Sequence, residues 1–341
     1  MSTTCLHTWL PGRVAACPWT LYLIFFVGAF TVARFLLKTS FVLAQTFVLH
    51  GKNLDKFGTP KGSWAVVTGA SGGIGKEFAL QLAAAGFNIL LVARNEVALT
   101  AVAAEIGSNT AGKVEARIQL MDFAKNDPTA LTELESTVSG LDVGILVNNA
   151  GKWHTLPSYF AETAEQEIED IVTVNIMGTL RVTHAILPGM IQRKRGLILN
   201  VGSFAGEVPS PMISTYSGTK AFLSTFTSAL ADEIRPHHIM VQYLNTYFVF
   251  QVTKMTRFQK SSMLAATPAA YVHSVLSKIG LSCGAALSDR PDTLTPYWSH
   301  ALFDYVIYVV GRKAFFTSYF HRTLTDYRRA LQKSDQEAKQ Q

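Results

Sequence analysis

Three cysteines in 341 residues are few, and Cys5, Cys17 and Cys283 are scattered. An odd, dispersed set builds no disulfide framework and offers no metal-ligand spacing, which fits a catalytic domain in a reducing compartment. The nine histidines do not cluster either. His237 and His238 are adjacent, but before a predicted strand that pair reads as a polar loop. Strong charge of one sign is also missing, since the formal net charge is only +6. No Lys/Arg run interleaved with aromatics occurs, so nucleic acid is not an expected partner. The modest excess suits an anionic membrane or a phosphate-bearing ligand. Internal repeats and low-complexity linkers are absent. A hydrophobic content of 48% excludes disorder and suits a globular core. The length allows one large α/β domain with appendages, or two domains of about 150 residues.

Charge is missing most conspicuously near the start. Residues 15–33 form a charge-free run of 19, including WTLYLIFFVGAFTVA from Trp19. A membrane-spanning helix needs about 20 mainly apolar residues. A signal peptide fits less well, because no A-x-A-like site follows and apolar character resumes after Lys38. A hairpin or interfacial helix over 21–49 is the third option. Only Arg13 precedes the run, whereas Arg34, Lys38, Lys52, Lys56 and Lys61 follow it. The positive-inside rule then places the main domain in the cytosol. These residues predict an N-terminal anchor region over 1–50, spanning at about 15–35. A second aromatic stretch, YWSHALFDYVIYVVGRKAFFTSYF at 297–320, is broken by Asp304 and Arg312. It suits a helix packed on the domain or one lying on a membrane surface. The tail after Thr325 is polar and expected to fray.

Between these segments, short β-rich runs alternate with helical ones. Strands are expected at 64–68, 88–93, 114–121, 143–147, 197–201 and 239–244. Helices are expected at 73–85, where Ile74, Phe78 and Leu82 share a face, and at 165–191 and 217–234. Such alternation predicts an α/β fold: a Rossmann-type, doubly wound parallel sheet covered on both faces. The domain is expected to run from about 60 to 290, with a C-terminal helical extension over 291–325 and a tail over 326–341. Ligands of such sheets bind beyond the carboxyl ends of the strands.

The first of those ends reads TGASGGIG. Gly69, Gly73 and Gly75, with Ser71 and Ile74 in the same turn, form a G-x-x-x-G-x-G pattern. Glycines allow a tight turn and close approach of a pyrophosphate, and the following helix points its positive end at the phosphates. Placed between a first strand and an amphipathic helix, the pattern predicts a dinucleotide loop. The second strand ends in VARNE. An NAD site usually carries an acid there; this chain has Arg94, nineteen residues past Gly75, followed by Asn95. A guanidinium suits a 2′-phosphate and stacks on adenine, which points to NADPH.

TGASGGIG, then NNAG at 148–151, then YSGTK at 216–220 together resemble the short-chain dehydrogenase/reductase family over residues 64–245 or so. The resemblance implies a catalytic tetrad of Asn175 in VTVN, Ser203 in VGSFAG, and Tyr216 and Lys220 in YSGTK. It implies that Asp122 contacts the adenine and that Asn149 lies beside the adenosine ribose. SKIG at 277–280, TPYWSHAL at 295–302 and the N-terminal apolar segment resemble a membrane-bound branch, the fungal very-long-chain 3-oxoacyl-CoA reductases. That branch implies a long-chain 3-oxoacyl-CoA substrate, an endoplasmic reticulum membrane with the catalytic domain facing the cytosol, and association with other elongase enzymes. Members of the family often pair through long helices, so a homodimer is a further implication.

The tetrad has a physical logic. Reducing a ketone needs a hydride at carbon and a proton at oxygen. Tyr216 is the expected acid, but a phenol with a pKa of about 10 is poorly matched to neutral pH. Lys220 stands one helical turn on; its ammonium, with the oxidised nicotinamide, is expected to lower that pKa, and it should reach the nicotinamide ribose. Ser203 would donate to the substrate carbonyl as negative charge develops. Asn175 would hold a water linking Lys220 to solvent. After the sixth strand, LNTYFVFQVTKM departs from the family pattern, which places a hydroxyl residue there; Val249 is followed by Phe250 and Gln251. Val249 then offers only its backbone to the nicotinamide carboxamide. A membrane-bound steroid or retinoid reductase and a non-catalytic elongase scaffold are the alternatives.

Overall fold

A computed structural model describes residues 18–58, 62–249 and 265–339. Phe250 and Gln251 lie outside the described residues, as do Cys5, Cys17, Arg13 and Lys61.

Seven parallel strands form one sheet in the order β3-β2-β1-β4-β5-β6-β7. They are β1 (Trp64–Thr68), β2 (Asn88–Ala93), β3 (Ala116–Leu120), β4 (Val143–Asn148), β5 (Gly196–Val201), β6 (Ile239–Leu244) and β7 (Thr293–Leu294). The strands β1, β4 and β5 are buried along their whole length. That explains their uninterrupted apolar runs, as expected where helices cover both faces. Ile74, Phe78 and Leu82 of helix α2 (Gly73–Ala84) bury together on one side. Further along come α3 (Glu96–Asn109) and α4 (Pro128–Ser139). Next, α5 (Glu165–Val172), a π turn (Thr173–Met177) and α6 (Gly178–Arg193) make a single rod. The short α7 (Phe204–Glu207) and the long α8 (Ser214–Ile234) follow β5. The sheet order reverses between β1 and β4, and that switch point is where doubly wound folds bind ligands.

Four details differ from expectation. The predicted third strand is trimmed to Ala116–Leu120. The 165–191 helix contains the π turn. The strand β7 was not foreseen; at two residues it is too short for a period-2 pattern, yet Thr293 and Leu294 pair with Tyr243 and Leu244. The polar tail does not fray after Thr325. Helix α11 (Lys313–Lys339) continues through it, with Arg328 paired to Glu162 at 2.7 Å.

Before it, helices α9 (Pro268–Ser277) and α10 (Trp298–Val310) complete the C-terminal part. Asp304 of α10 is 2% exposed and fixes this region. Arg290 grips it with two hydrogen bonds of 2.9 and 3.0 Å. Thr295 donates at 2.6 Å and Tyr247 at 3.0 Å. Burial beside Asp304 pushes the Tyr247 phenol well above its ordinary pKa. The carboxylate therefore joins α10, the stretch after β6 and the loop before β7.

At the other end, helix α1 (Pro18–Leu43) and the π turn Ala44–Val48 form one segment. From Trp19 to Val48 it is 30 residues with a mean hydropathy of 2.0, long and apolar enough to cross a membrane. Every residue from Trp19 to Leu37 is exposed. Beyond Lys38 the segment docks on the domain: the Gln45 side chain accepts from the backbone N–H groups of Ser282 and Cys283 at 2.9 and 2.8 Å.

Removing one partner of a buried ion pair leaves an uncompensated charge. Asp304→Ala should therefore destabilise the protein by about 3–5 kcal/mol. Thermal unfolding of the detergent-solubilised protein measures this; a melting temperature equal to wild type would show that Arg290 finds another partner.

Candidate active site

The loop between β1 and α2 is built for a close approach. Gly69 and Gly73 take left-handed φ angles of 64° and 56°. A Cβ on Gly75 would lie 2.3 Å from the Gly69 carbonyl oxygen, so no larger residue fits. Ser71 is half-buried in the turn and Ile74 is buried beneath it. No side chain caps the N-terminus of α2, which leaves the N–H groups of its first turn for another acceptor. Asn149 braces this loop: its amide group donates to the carbonyls of Thr68 (2.9 Å) and Gly69 (3.2 Å). At the ends of β2 and β3, the Arg94 guanidinium stands 3.8 Å from the Asp122 carboxylate and is 73% exposed. Asn95 instead caps α3, its side-chain oxygen accepting from the Ala98 N–H at 3.0 Å. Val249 forms an isolated parallel bridge with Ala266.

Asn175, Ser203, Tyr216 and Lys220 come from three separate elements at the carboxyl ends of β4 and β5. Asn175 sits inside the π turn, 1% exposed. The extra residue of a π turn is a costly local irregularity that recurs at functional positions. Here it aims the amide at the loop after β4: Asn175 accepts from the Lys152 N–H at 2.7 Å and donates to the Lys152 carbonyl and the Thr219 hydroxyl, each at 3.0 Å. The Ser203 hydroxyl lies near enough to the Tyr216 phenol to favour its ionised form, against the burial of that phenol. Ser203 Oγ also accepts from the Ala205 N–H at 3.2 Å, capping α7. Lys220 is 5% exposed and its ammonium donates to the Val201 carbonyl at 2.8 Å. That nitrogen stands 5.7 Å from the centroid of the Tyr216 ring.

Two residues escaped the sequence reading. Trp153, two positions past the NNAG motif, packs edge-on against the Tyr216 ring at 4.8 Å. Tyr243 of β6 is fully buried under the site. Its hydroxyl accepts from the Ser203 N–H at 2.9 Å and faces the carbonyls of Ser203 and Lys220 at 3.0 and 3.3 Å. It replaces space that a Cβ on Gly202 would fill, since that atom would meet the Tyr243 ring at 2.0 Å. Gly202, the first glycine of VGSFAG, was the available signal for the Tyr243 ring.

A model of the short chain dehydrogenase family matches residues 63–263. The chain belongs to that family. Among curated proteins, the very-long-chain 3-oxoacyl-CoA reductase of Laccaria bicolor is 55% identical across 92% of this chain and 92% of its own. The reductase of the same name from Coprinopsis cinerea is 55% identical across 95% and 94%. Among solved structures, a short-chain dehydrogenase from Sphingobium yanoikuyae in complex with NADPH is 25% identical. It has a TM-score of 0.59 over 75% of this chain and 95% of its own. A 7β-hydroxysteroid dehydrogenase at 23% identity and a TM-score of 0.67 shares the fold, over 79% of this chain and 99% of its own.

As a short-chain dehydrogenase the protein binds a nicotinamide cofactor, and the uncapped α2 terminus and the close-set glycines fit its pyrophosphate. Burial sets the resting electrostatics of Tyr216 and Lys220. Burial raises the Tyr216 pKa, and the Ser203 hydroxyl only partly opposes it. Lys220 is desolvated in the same pocket and pushed down to about 8. Burial is the larger influence on each group, so the phenol rests above its ordinary value and the ammonium below it.

Lys220 titrates at about 8 folded against 10.5 unfolded, so it holds fewer protons in the folded state between those values. Its contribution to stability improves as pH rises through that window, and the penalty is complete below it. At pH 7 Lys220→Met should be more stable than wild type by about 1–3 kcal/mol. That advantage should shrink as the pH is raised to about 10; melting curves at both pH values check it, and a pH-independent gap would refute it. Tyr243→Phe leaves the Ser203 N–H without its buried partner and should cost about 1–3 kcal/mol. The same melting assay measures it, and a variant as stable as wild type would remove Tyr243 from the support of the site.

Proposed function

We propose that this protein is an NADPH-dependent reductase of very-long-chain 3-oxoacyl-CoA, forming the 3-hydroxyacyl-CoA of the fatty-acid elongation cycle. The neighbouring Ser203 and Tyr216 hydroxyls, with Lys220 one turn further along α8, carry the proposal. Bound NADPH supplies the hydride. The Ser203–Tyr216 pair would receive the substrate carbonyl oxygen, and Tyr216 would deliver the proton to it. Burial keeps the phenol protonated until that moment. Lys220, charged below about pH 8, would favour the developing phenolate. Asn175 holds the Lys152 backbone and Thr219 around this proton path, where it would order the water behind Lys220. Arg94 would take the adenosine 2′-phosphate, with Asp122 beside the adenine and the Val249 backbone at the carboxamide.

The substrate assignment rests on two further supports. Relatives at 55% identity over nearly the full length carry the name very-long-chain 3-oxoacyl-CoA reductase. Beside Ser203, the Phe204 ring packs on Tyr247 at 4.7 Å. Tyr247 borders a cavity of about 320 Å³, lined also by Phe248, Phe303, Phe316 and Phe320 among others. An aromatic wall of that size suits an acyl chain, which gains about 0.8 kcal/mol for each methylene it buries. The exposed apolar helix α1 would hold the enzyme on the endoplasmic reticulum with the domain in the cytosol, beside the other elongase enzymes and near lipid-dissolved substrate.

Purified protein with NADPH and a long-chain 3-oxoacyl-CoA should oxidise NADPH, and Tyr216→Phe should lower kcat by at least about 100-fold. The kcat should also fall as pH rises through about 8, where the Lys220 ammonium is lost. Arg94→Asp should shift the preference toward NADH by roughly tenfold. No NADPH oxidation by the parent protein would refute the proposal, and equal turnover by Tyr216→Phe would remove Tyr216 as the acid.

A further inference from the structure

A helical hairpin at the C-terminal end runs back along the anchor. Tyr305 and Thr39 share a hydrogen bond of 2.6 Å, and Lys38 donates to the Tyr308 hydroxyl at 3.3 Å. As α10 advances from 305 to 308, its partner on α1 retreats from 39 to 38, so the two helices are antiparallel there. The end of α10 therefore points toward the membrane-crossing part of α1. The turn that closes the hairpin, Gly311 to Lys313, follows closely on Tyr308, the partner of Lys38.

That turn is apolar and basic at once. Val306, Val309, Val310, Phe315 and Tyr319 are 47–64% exposed. Arg312 and Lys313 between them are exposed, as is Arg34 on α1. Residues 305–320 contain an unbroken absence of Asp and Glu. Apolar side chains interleaved with cations, and no anion among them, match the boundary between acyl chains and anionic headgroups.

The geometry of the anchor gives the same level independently. Trp19–Val48 is 30 residues, about 45 Å of helix, against a hydrocarbon core of about 30 Å. The helix therefore exceeds the core by nearly three turns, and Arg34 and Lys38, the first charges on it, mark where the turns at and beyond the headgroups begin. In those turns Val42, Gln45 and Thr46 face the domain and are buried, while Phe41, Phe47 and Val48 on the other side stay exposed. The end of the anchor thus packs on the domain by one face while its other face stays apolar and exposed.

We propose that the 306–319 hairpin is a second membrane seat, sunk to headgroup depth in an anionic bilayer beside the anchor. Phe315 and Tyr319 belong both to this seat and to the lining of the aromatic cavity at Tyr247. The mouth of that cavity consequently opens at the bilayer. On the reductase assignment above, on which this consequence rests, the acyl chain enters from lipid while its thioester and CoA head stay on the aqueous side.

Full-length protein in lipid nanodiscs containing phosphatidylserine tests the seat without reference to activity. In a Cys5→Ser, Cys17→Ser background, a nitroxide is placed at Val310→Cys or, as the aqueous reference, at Arg329→Cys, where the native side chain is 74% exposed. The label at 310 should be open to molecular oxygen and shielded from a water-soluble nickel chelate; the label at 329 should be open to both. Adding Arg312→Glu and Lys313→Glu should return position 310 to water. A label at 310 as open to the chelate as the one at 329 would overturn the seat. Shielding from both reagents would mean a covering protein surface, such as a second copy, and would overturn it too. In activity assays, the double charge reversal should raise KM for a long-chain 3-oxoacyl-CoA about fivefold at unchanged kcat, and leave a short, water-soluble 3-oxoacyl thioester unaffected. An unchanged KM alongside a confirmed label depth would sever the cavity mouth from the seat. An inactive parent protein would defeat the reductase assignment and leave the depth result standing.

Discussion

The Lys220 ammonium, buried on the single carbonyl of Val201, is the constraint around which the site is organised. A desolvated cation with one strong acceptor is costly, and it stays in place only if the helix carrying it cannot move. Three sets of buried contacts hold α8. Asn200 of β5 donates to Thr227, and in turn accepts from Asn148 of β4. Ser217 donates to the Ala205 carbonyl, tying α8 to the turn after Ser203. Tyr243 reaches from β6 to the backbone of both Ser203 and Lys220. These polar links cross the two central strands at the same depth and set the register between sheet and helix. Their satisfaction matters because a buried donor left unpaired costs more than a hydrogen bond gains.

A second buried charge does comparable work for the C-terminal part. Asp304 gathers Arg290, Thr295 and Tyr247, and Arg290 also stands 3.6 Å from Glu207 at the end of α7. The chain from Ser203 through α7 thus meets the C-terminal helices through one guanidinium. The aromatic cavity lies on the other side of Tyr247 from this cluster. Any movement of the hairpin at the membrane would be felt at Tyr247 and Phe204, one residue from Ser203.

The sheet and the phosphate loop were legible because their signals are local. A strand buried on both faces reads as an apolar run, and WAVVT, NILLVA and LILNV announced themselves. The close packing of Gly75 on Gly69 left its mark as glycine. The amphipathic α2 showed its period at Ile74, Phe78 and Leu82. What stayed hidden was set by contacts far apart in sequence. The π turn at Thr173–Met177 carries no composition of its own; tertiary packing of Asn175 onto Lys152 imposes it. Asp304 looked like an interruption of an apolar helix, whereas it is the helix's buried attachment point. Tyr243 passed as one more apolar strand residue, because nothing in IMVQYL reveals that its hydroxyl meets Ser203. The capping of α3 by Asn95 was likewise not read from its place after β2.

The raised phenol and the lowered ammonium make sense together in the proposed reduction. An acid must carry its proton when substrate arrives, and a buried, uncharged Tyr216 does so across the whole physiological range. A pKa above 10 would make it a reluctant donor if nothing changed during the reaction. The change comes from charge that appears only then. As the substrate oxygen turns negative, it draws the proton, and the phenolate so formed stands near a cation that has been stripped of water. The low polarity that raises the resting pKa also strengthens that attraction, so one environment serves both stages. A more exposed site would keep Lys220 nearer its ordinary pKa but would surrender the field. The depressed Lys220 is thus the stability cost of a strong field, and it confines the charged, working form to pH values below about 8.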